Sequence, residues 1–125
     1  MNKICTSIKQ SQKLIDLGIN EDTADMYWWA TSIRYYIEAM DDGDFNEAEG
    51  HIRAWSLAAL SEFILPYIAD DDGNNYKFYL SKDGLDRWIA YYKSDDVSIY
   101  ICKESYNMID VIFEMVCWLK ENNKI

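Results

Sequence analysis

The sequence predicts an α+β fold, with a mainly antiparallel sheet of about three to five strands packed against about three helices in the order α-(ββ)-α-βββ-α. Three observations carry this expectation. Aromatic and β-branched runs between residues 76 and 102 are separated by short breaks bearing Asp, Gly and Ser, which is the mark of an antiparallel meander. Segments starting near residues 7, 56 and 107 place apolar residues at helical spacing behind a residue able to cap a helix. Half of the 125 residues are apolar and 15% are aromatic, a composition that supports one core within a single compact domain spanning 1–125.

The first helix is expected over residues 7–17. Ser7 with Gln10 three positions on forms a capping box, and Gly18 followed by Ile19 fits a Schellman-type end that brings Ile19 to Leu14. Ile8, Leu14, Ile15 and Leu17 form the buried stripe, and Lys9, Gln10, Gln12 and Lys13 face water. The next stretch, TADMYWWATSIRYYIEAM, reads two ways. Trp29, Ile33, Tyr36, Ile37 and Met40 recur at helical spacing, whereas Ile33, Tyr35, Ile37 and Ala39 alternate as in a strand. The density of Tyr, Trp and Ile favours two short strands around Ala30, with a helix as the alternative.

DDGDFNEAEG then reads as a loop. AWSLAALSEFILP is expected to be helical from its cap at Ser56 to about Ile64, with Trp55 and Leu60 at the spacing of a hydrophobic staple. Leu57, Ala58, Leu60 and Ile64 form its inward face, and Pro66 stops it, because the residue before a proline avoids helical angles. The runs YKFYL, DRWIAYY and VSIYIC form the meander. In the closing segment Asn107 caps, Asp110 sits in the electropositive first turn, and Ile109, Ile112, Phe113, Val116 and Leu119 make an apolar face. Lys120 and Lys124 lie where a helix C-terminus favours cations.

Charge narrows the function classes. Twelve basic against 22 acidic residues leave a formal charge of −10, which repels phosphate backbones and anionic membranes, so neither direct nucleic-acid binding nor membrane binding is expected. Cys5, Cys102 and Cys117 are odd in number and form no CxxC pair. They suggest neither a disulfide framework nor a zinc site, and a reducing compartment fits best. All three read as small core residues, with redox sensing open only to Cys5. The N-terminal MNKICTSIKQSQ turns polar too early for a signal-peptide core, and no apolar run reaches the roughly 18 residues of a membrane span. The expected location is the cytoplasm.

Several features look chemical. IADDDGNNYKFY resembles a calcium loop, but with Gly73 at the sixth position Ile68 and Tyr79 fall where the end ligands belong. It reads as a turn. The other acidic loop places Glu38 and Glu49 at the two ends if Gly43 is sixth, yet Met40 falls at the third position. His51 is the only histidine, so one chain cannot assemble a His-based metal cluster, and no nucleophile, dinucleotide or phosphate-loop spacing occurs. No cofactor is expected. Of the five tryptophans (Trp28, Trp29, Trp55, Trp88 and Trp118), Trp55 and Trp118 belong to the core by spacing. The best candidate recognition surface is the acidic loop of Asp41, Asp42, Asp44, Glu47 and Glu49, which can steer a basic protein partner. The meander edges also leave pairing of two copies open.

Three blocks, CTSIKQSQKLIDLGINEDTADMYW, AWSLAALSEFIL and MIDVIFEMVCWLKENNKI, together resemble a family of short proteins from Bacteroides-type gut bacteria, associated with prophages and other integrated elements. They cover somewhat under half the chain. Ser61 stands where that family usually has a second leucine, and residues 30–53 are longer and more acidic than its pattern. The resemblance implies an accessory role in a mobile element and carries no catalytic or binding residue over to this chain. The leading functional expectation is therefore a non-catalytic protein-interaction factor. The alternatives are an acidic mimic of nucleic acid that occupies a DNA-binding host protein, and a hydrolase that uses carboxylates and a divalent metal.

Overall fold

The computed structural model describes residues 3–40 and 44–125. Helix α1 (Ile8–Asp16) starts at the expected capping box, in which Ser7 Oγ accepts from the Gln10 amide at 3.1 Å and Gln10 Oε1 accepts from the Ser7 amide at 2.9 Å. It ends in a Schellman turn: the Ile19 amide donates to Leu14 O and the Gly18 amide to Ile15 O, both at 3.0 Å. Gly18 has φ +87°, a value that a side chain would disfavour.

The ambiguous aromatic stretch forms two strands, β1 (Met26–Ala30) and β2 (Tyr35–Ala39). A third, β3 (Ile52–Ala54), pairs along the other edge of β1, so this sheet has the order β2-β1-β3, all antiparallel. The expected single sheet is in fact two. After β3, Trp55 and Ser56 turn the chain into helix α2 (Leu57–Ser61) before any fourth strand can join. Ser56 caps α2 as read, accepting from the Ala59 amide at 3.2 Å while its own amide and hydroxyl bond the Asp25 carboxylate.

Helix α2 is shorter than its expected end at Ile64. The Phe63 and Ile64 amides reach back only three residues, to Leu60 O and Ser61 O, so the chain tightens into a 3-10 turn. It then extends through Pro66 into β4 (Tyr67–Ala69). Strands β5 (Asn75–Lys82), β6 (Trp88–Lys93) and β7 (Ile99–Ser105) form the expected meander, with β4 added at one edge in the order β4-β5-β6-β7. Between β6 and β7 the register slips at Tyr92/Lys93, making Tyr100 an extra residue. The bulge aims Tyr100 at helix α3 (Met108–Glu121), where its ring stacks on Tyr76 at 4.8 Å and meets Trp118 edge-on at 5.6 Å.

Helix α3 buries Ile109, Val111, Ile112, Phe113, Met115, Val116, Cys117 and Leu119, more of its circumference than one stripe, and so forms the centre of the molecule. Asn107 Oδ1 caps it, accepting from the Ile109 amide at 2.9 Å and the Asp110 amide at 3.3 Å. Asp110 then takes the Lys3 ammonium at 2.6 Å and the Gln10 side-chain amide at 2.8 Å, joining the starts of α1 and α3. Leu14, Trp55, Leu60, Ala90, Tyr92 and Leu119 meet in one apolar core. Two polar side chains are buried with them. Ser11 Oγ donates to Ser7 O at 2.7 Å, so Thr6 must supply the proton of the 2.8 Å Thr6–Ser11 contact, while Thr6 Oγ1 accepts from the Trp55 amide at 3.0 Å. Among the described residues, no helix is long and apolar enough to cross a membrane.

The cysteines correct one expectation. Cys5 and Cys117 are buried, and burial pushes both thiols up to about 11. Cys102 is not a core residue: it pairs with Tyr91 on the face of the second sheet turned away from α3 and is exposed. Redox chemistry therefore has its best access at Cys102 rather than Cys5. Partial burial and the neighbouring Glu104 raise the Cys102 thiol as well, so access decides, and a maleimide at neutral pH is expected to label Cys102 first in the native protein. Mass mapping of a partial digest checks this, and earlier labelling of Cys5 or Cys117 would show that the N-terminal segment or α3 opens readily.

Candidate functional site

Of the five acids expected to form a recognition surface, Asp41 and Asp42 lie outside the described residues, and Asp44, Glu47 and Glu49 are solvent-exposed. Their segment is held down at several points. Glu47–Glu49 form a 3-10 turn in which Asn46 Oδ1 accepts from the Ala48 amide at 3.0 Å. Phe45 turns the other way, onto the outer face of the first sheet, with its ring 5.7 Å from that of Tyr27. The His51 ring stacks on Tyr27 at 5.1 Å, and the Arg53 guanidinium covers Phe45 at 4.5 Å. Contacts of these two kinds are each worth about 0.5–1.5 kcal/mol.

The consequence is a roof. Tyr27 sits on the outer face of β1 yet is only 3% exposed, with its hydroxyl donating to Glu38 Oε2 at 2.9 Å. His51, a lone loop histidine by sequence, acts as a brace. Its Nδ1 accepts from the Asn46 amide at 3.0 Å, which leaves the ring proton on Nε2, 3.7 Å from Glu49 Oε2. Arg53 is held in turn by Glu21 Oε1 at 3.7 Å, Asp22 Oδ1 at 3.8 Å and Glu21 O at 3.3 Å. The result is a solvent-facing row of carboxylates on a braced segment, with Arg53 tied into the packing beneath. Such a surface attracts cationic groups without committing its own backbone to them.

The three aspartates of IADDDGNNYKFY form the hairpin turn between β4 and β5. Asp70 accepts from the Asp72 amide at 3.0 Å, the Asn74 amide at 2.8 Å, Asn74 Nδ2 at 3.1 Å and Tyr76 Oη at 2.9 Å. Partial desolvation pushes its carboxyl up, but these donors outweigh it and hold Asp70 below the ordinary carboxylate value. Gly73, at φ +84°, supplies the left-handed residue of the turn. Among the described residues, no group of three or more His, Cys, Asp or Glu is placed to hold a metal ion. Trp55 is fully buried, Trp118 packs under Tyr100, Trp29 stacks on Tyr36 at 4.6 Å, and Trp28 donates to Thr6 O at 3.0 Å.

The sequence reading missed a second surface. Between α2, β5 and α3 lies an apolar recess of about 290 Å³ whose walls include Leu57, Ile64, Pro66, Phe78, Leu80 and Ile112. It shares Leu57 and Met108 with a larger cleft of about 520 Å³ that reaches Trp88, Tyr106 and Ile4. Of these residues, Leu57, Ile64 and Ile112 read from spacing as inward-facing within their own helices. Spacing gave no signal for it, because the helix expected to run on to Ile64 ends at Ser61 and the chain turns away there. No family model, no curated protein and no solved structure matches the chain.

Proposed function

We propose that the chain is a non-catalytic interaction factor of the cytoplasm that binds a basic partner protein, as an accessory component of a bacterial mobile element. The observation that carries this reading is the braced acidic segment: Asp44, Glu47 and Glu49 face solvent while Phe45 and His51 of the same segment pack on Tyr27. A segment already ordered loses less conformational freedom on binding than a free loop would. The net charge of −10 adds long-range attraction for a cationic partner. The association with mobile elements rests on the three sequence blocks alone.

The test is affinity capture from lysate of a Bacteroides-type bacterium. The parent chain is run beside a variant in which Asp41, Asp42 and Asp44 become Asn and Glu47 and Glu49 become Gln. The expected result is a basic protein held by the parent, lost at least about tenfold from the variant and released by rising salt, because screening acts on exposed charges. Equal retention of the same protein by both baits, insensitive to salt, overturns the reading.

A further inference from the structure

We propose that the open edge of β2 is a self-association surface, on which a second copy of this chain adds its own β2 antiparallel about a two-fold axis at Tyr36. This goes beyond the function proposed above and does not rest on it.

The phase of the strand decides what the edge offers. The Thr31 amide donates to Arg34 O at 2.9 Å and the Met40 amide to Asp25 O at 2.8 Å, so the even-numbered residues of β2 bond to β1. Tyr35, Ile37 and Ala39 therefore turn their amides and carbonyls to the other side, where β2 is the last strand of its sheet. The other sheet edges are blunted. β4 has three residues, β7 carries the bulge at Tyr100, and the chain leaving β3 is bridged at Ser56 by Cys5.

Symmetry restricts the register. Two copies of one strand pair about a two-fold axis, and here the outward-facing odd residues must meet odd residues. An axis at Tyr36 sets Tyr35 against Ile37 of the second copy, twice over, as hydrogen-bonded pairs. The same register sets Arg34 opposite Glu38, again twice, and Tyr36 opposite Tyr36. Moving the axis to Tyr35 or Ile37 keeps the bonding phase but opposes Arg34 to Tyr36 or Met40, and both ion pairs are lost.

The side chains are placed for this register. Arg34 donates from Nε to Tyr36 Oη at 2.9 Å and lies over the Tyr36 ring at 5.0 Å. Among the described residues no carboxylate pairs with it, so its terminal nitrogens are available to an acid. Glu38 accepts from Tyr27 Oη through Oε2 at 2.9 Å, which leaves Oε1. On the same face the Trp29 ring stacks on Tyr36 at 4.6 Å, and at the axis this stack would continue into the second copy. The opposite face carries Tyr35, 52% exposed, and the hairpin tip leaves Ile33 88% exposed. Ile37 and Ala39 of the second copy would cover these apolar surfaces.

Charge selects the occupant. An antiparallel strand that matches both Arg34 and Glu38 must itself run from a cation to an anion four residues on, and β2 does. The net charge of −10 on each copy opposes association at a distance, but at about 0.15 M salt charges more than about 8 Å apart are largely screened. The acidic segment lies at the Glu38 end of the strand, where Phe45 packs on Tyr27, so the axis sends the two acidic segments to opposite ends of the paired strands.

The experiment is sedimentation of the full chain over a concentration series in about 0.15 M salt. A reversible dimer is expected. Tyr35→Pro removes an amide that β1 does not use, so the melting temperature should hold while dimer affinity falls at least about tenfold. Arg34→Glu and Glu38→Arg each set like charges opposite one another, and each variant should sediment as a monomer. Mixed in equal amounts, the two should form a heterodimer, because every facing pair is then opposite in charge. Misfolded chains would not recover on mixing, and Tyr35→Pro decides the matter where a charge variant fails to melt cooperatively. A parent that stays monomeric up to about 1 mM, a dimer that survives Tyr35→Pro or either charge variant, or folded charge variants that do not pair on mixing would each overturn the site.

Discussion

Replacing Trp55 with Ala is expected to remove about 3–5 kcal/mol of stability, the usual loss for truncating a buried aromatic ring to a methyl group. Domains of this size hold about 5–15 kcal/mol in all, so much of the variant should be unfolded at moderate temperature. Trp55 is fully buried and touches the structure through three kinds of contact. Its ring belongs to the core with Leu14 and Leu60, its Nε1 donates to Thr23 Oγ1 at 2.9 Å, and its backbone exchanges bonds with Thr6. The ring therefore joins the N-terminal segment, the turn before β1 and the start of α2. Trp55→Phe keeps most of the buried area but abandons the Thr23 hydroxyl, and should lose about 1–2 kcal/mol. Urea unfolding with an unchanged slope would measure both values. A loss below about 1 kcal/mol for Trp55→Ala would mean that the ring is not the keystone its burial implies.

What could be read in advance was local chemistry. Ser7 with Gln10, Ser56 and Asn107 announce three helix starts because a capping hydroxyl or amide acts within three residues of the groups it satisfies. The meander was legible because its Asp- and Gly-bearing turns are equally local. Strands β3 and β4, at three residues each, are too short to display alternation, and with them went the split into two sheets. Cys102 was misread because VSIYIC is apolar almost throughout. The bulge at Tyr100 also shifts the phase, so that Ile101 faces α3 and Cys102 faces water. The acids of the candidate surface could be named, but their bracing could not. Phe45, His51 and Arg53 meet Tyr27 only through long-range packing, a relation that no spacing rule encodes.

The second large effect concerns Tyr92, where one side chain sets both stability and its dependence on pH. Tyr92 is fully buried in the second sheet, packs on Phe78 at 5.3 Å and donates its hydroxyl to Leu65 O at 2.7 Å, tying β6 to the turn that ends α2. Tyr92→Ala is expected to lose about 3–5 kcal/mol, comparable with Trp55→Ala. Tyr92→Phe should lose only about 1–2 kcal/mol, by leaving the Leu65 carbonyl without its donor. Burial pushes the Tyr92 hydroxyl from 10.0 up to about 12. The folded state thus holds this proton more tightly than the unfolded chain does. The resulting stabilisation is complete below pH 10 and is lost as pH climbs towards 12, by roughly 2–3 kcal/mol at the far end. Cys5 and Cys117, raised from 9.0 to about 11, begin their own loss lower, and they do so in parent and variant alike. Subtracting the two proteins therefore isolates the tyrosine. Urea unfolding at pH 8, 10 and 11.5 should show the parent ahead at the first, still ahead at the second, and level with or behind Tyr92→Phe at the third. A gap that stays constant across that range would mean that the hydroxyl reaches water in the native state, and that the junction between β6 and the end of α2 is looser than its 2.7 Å bond indicates.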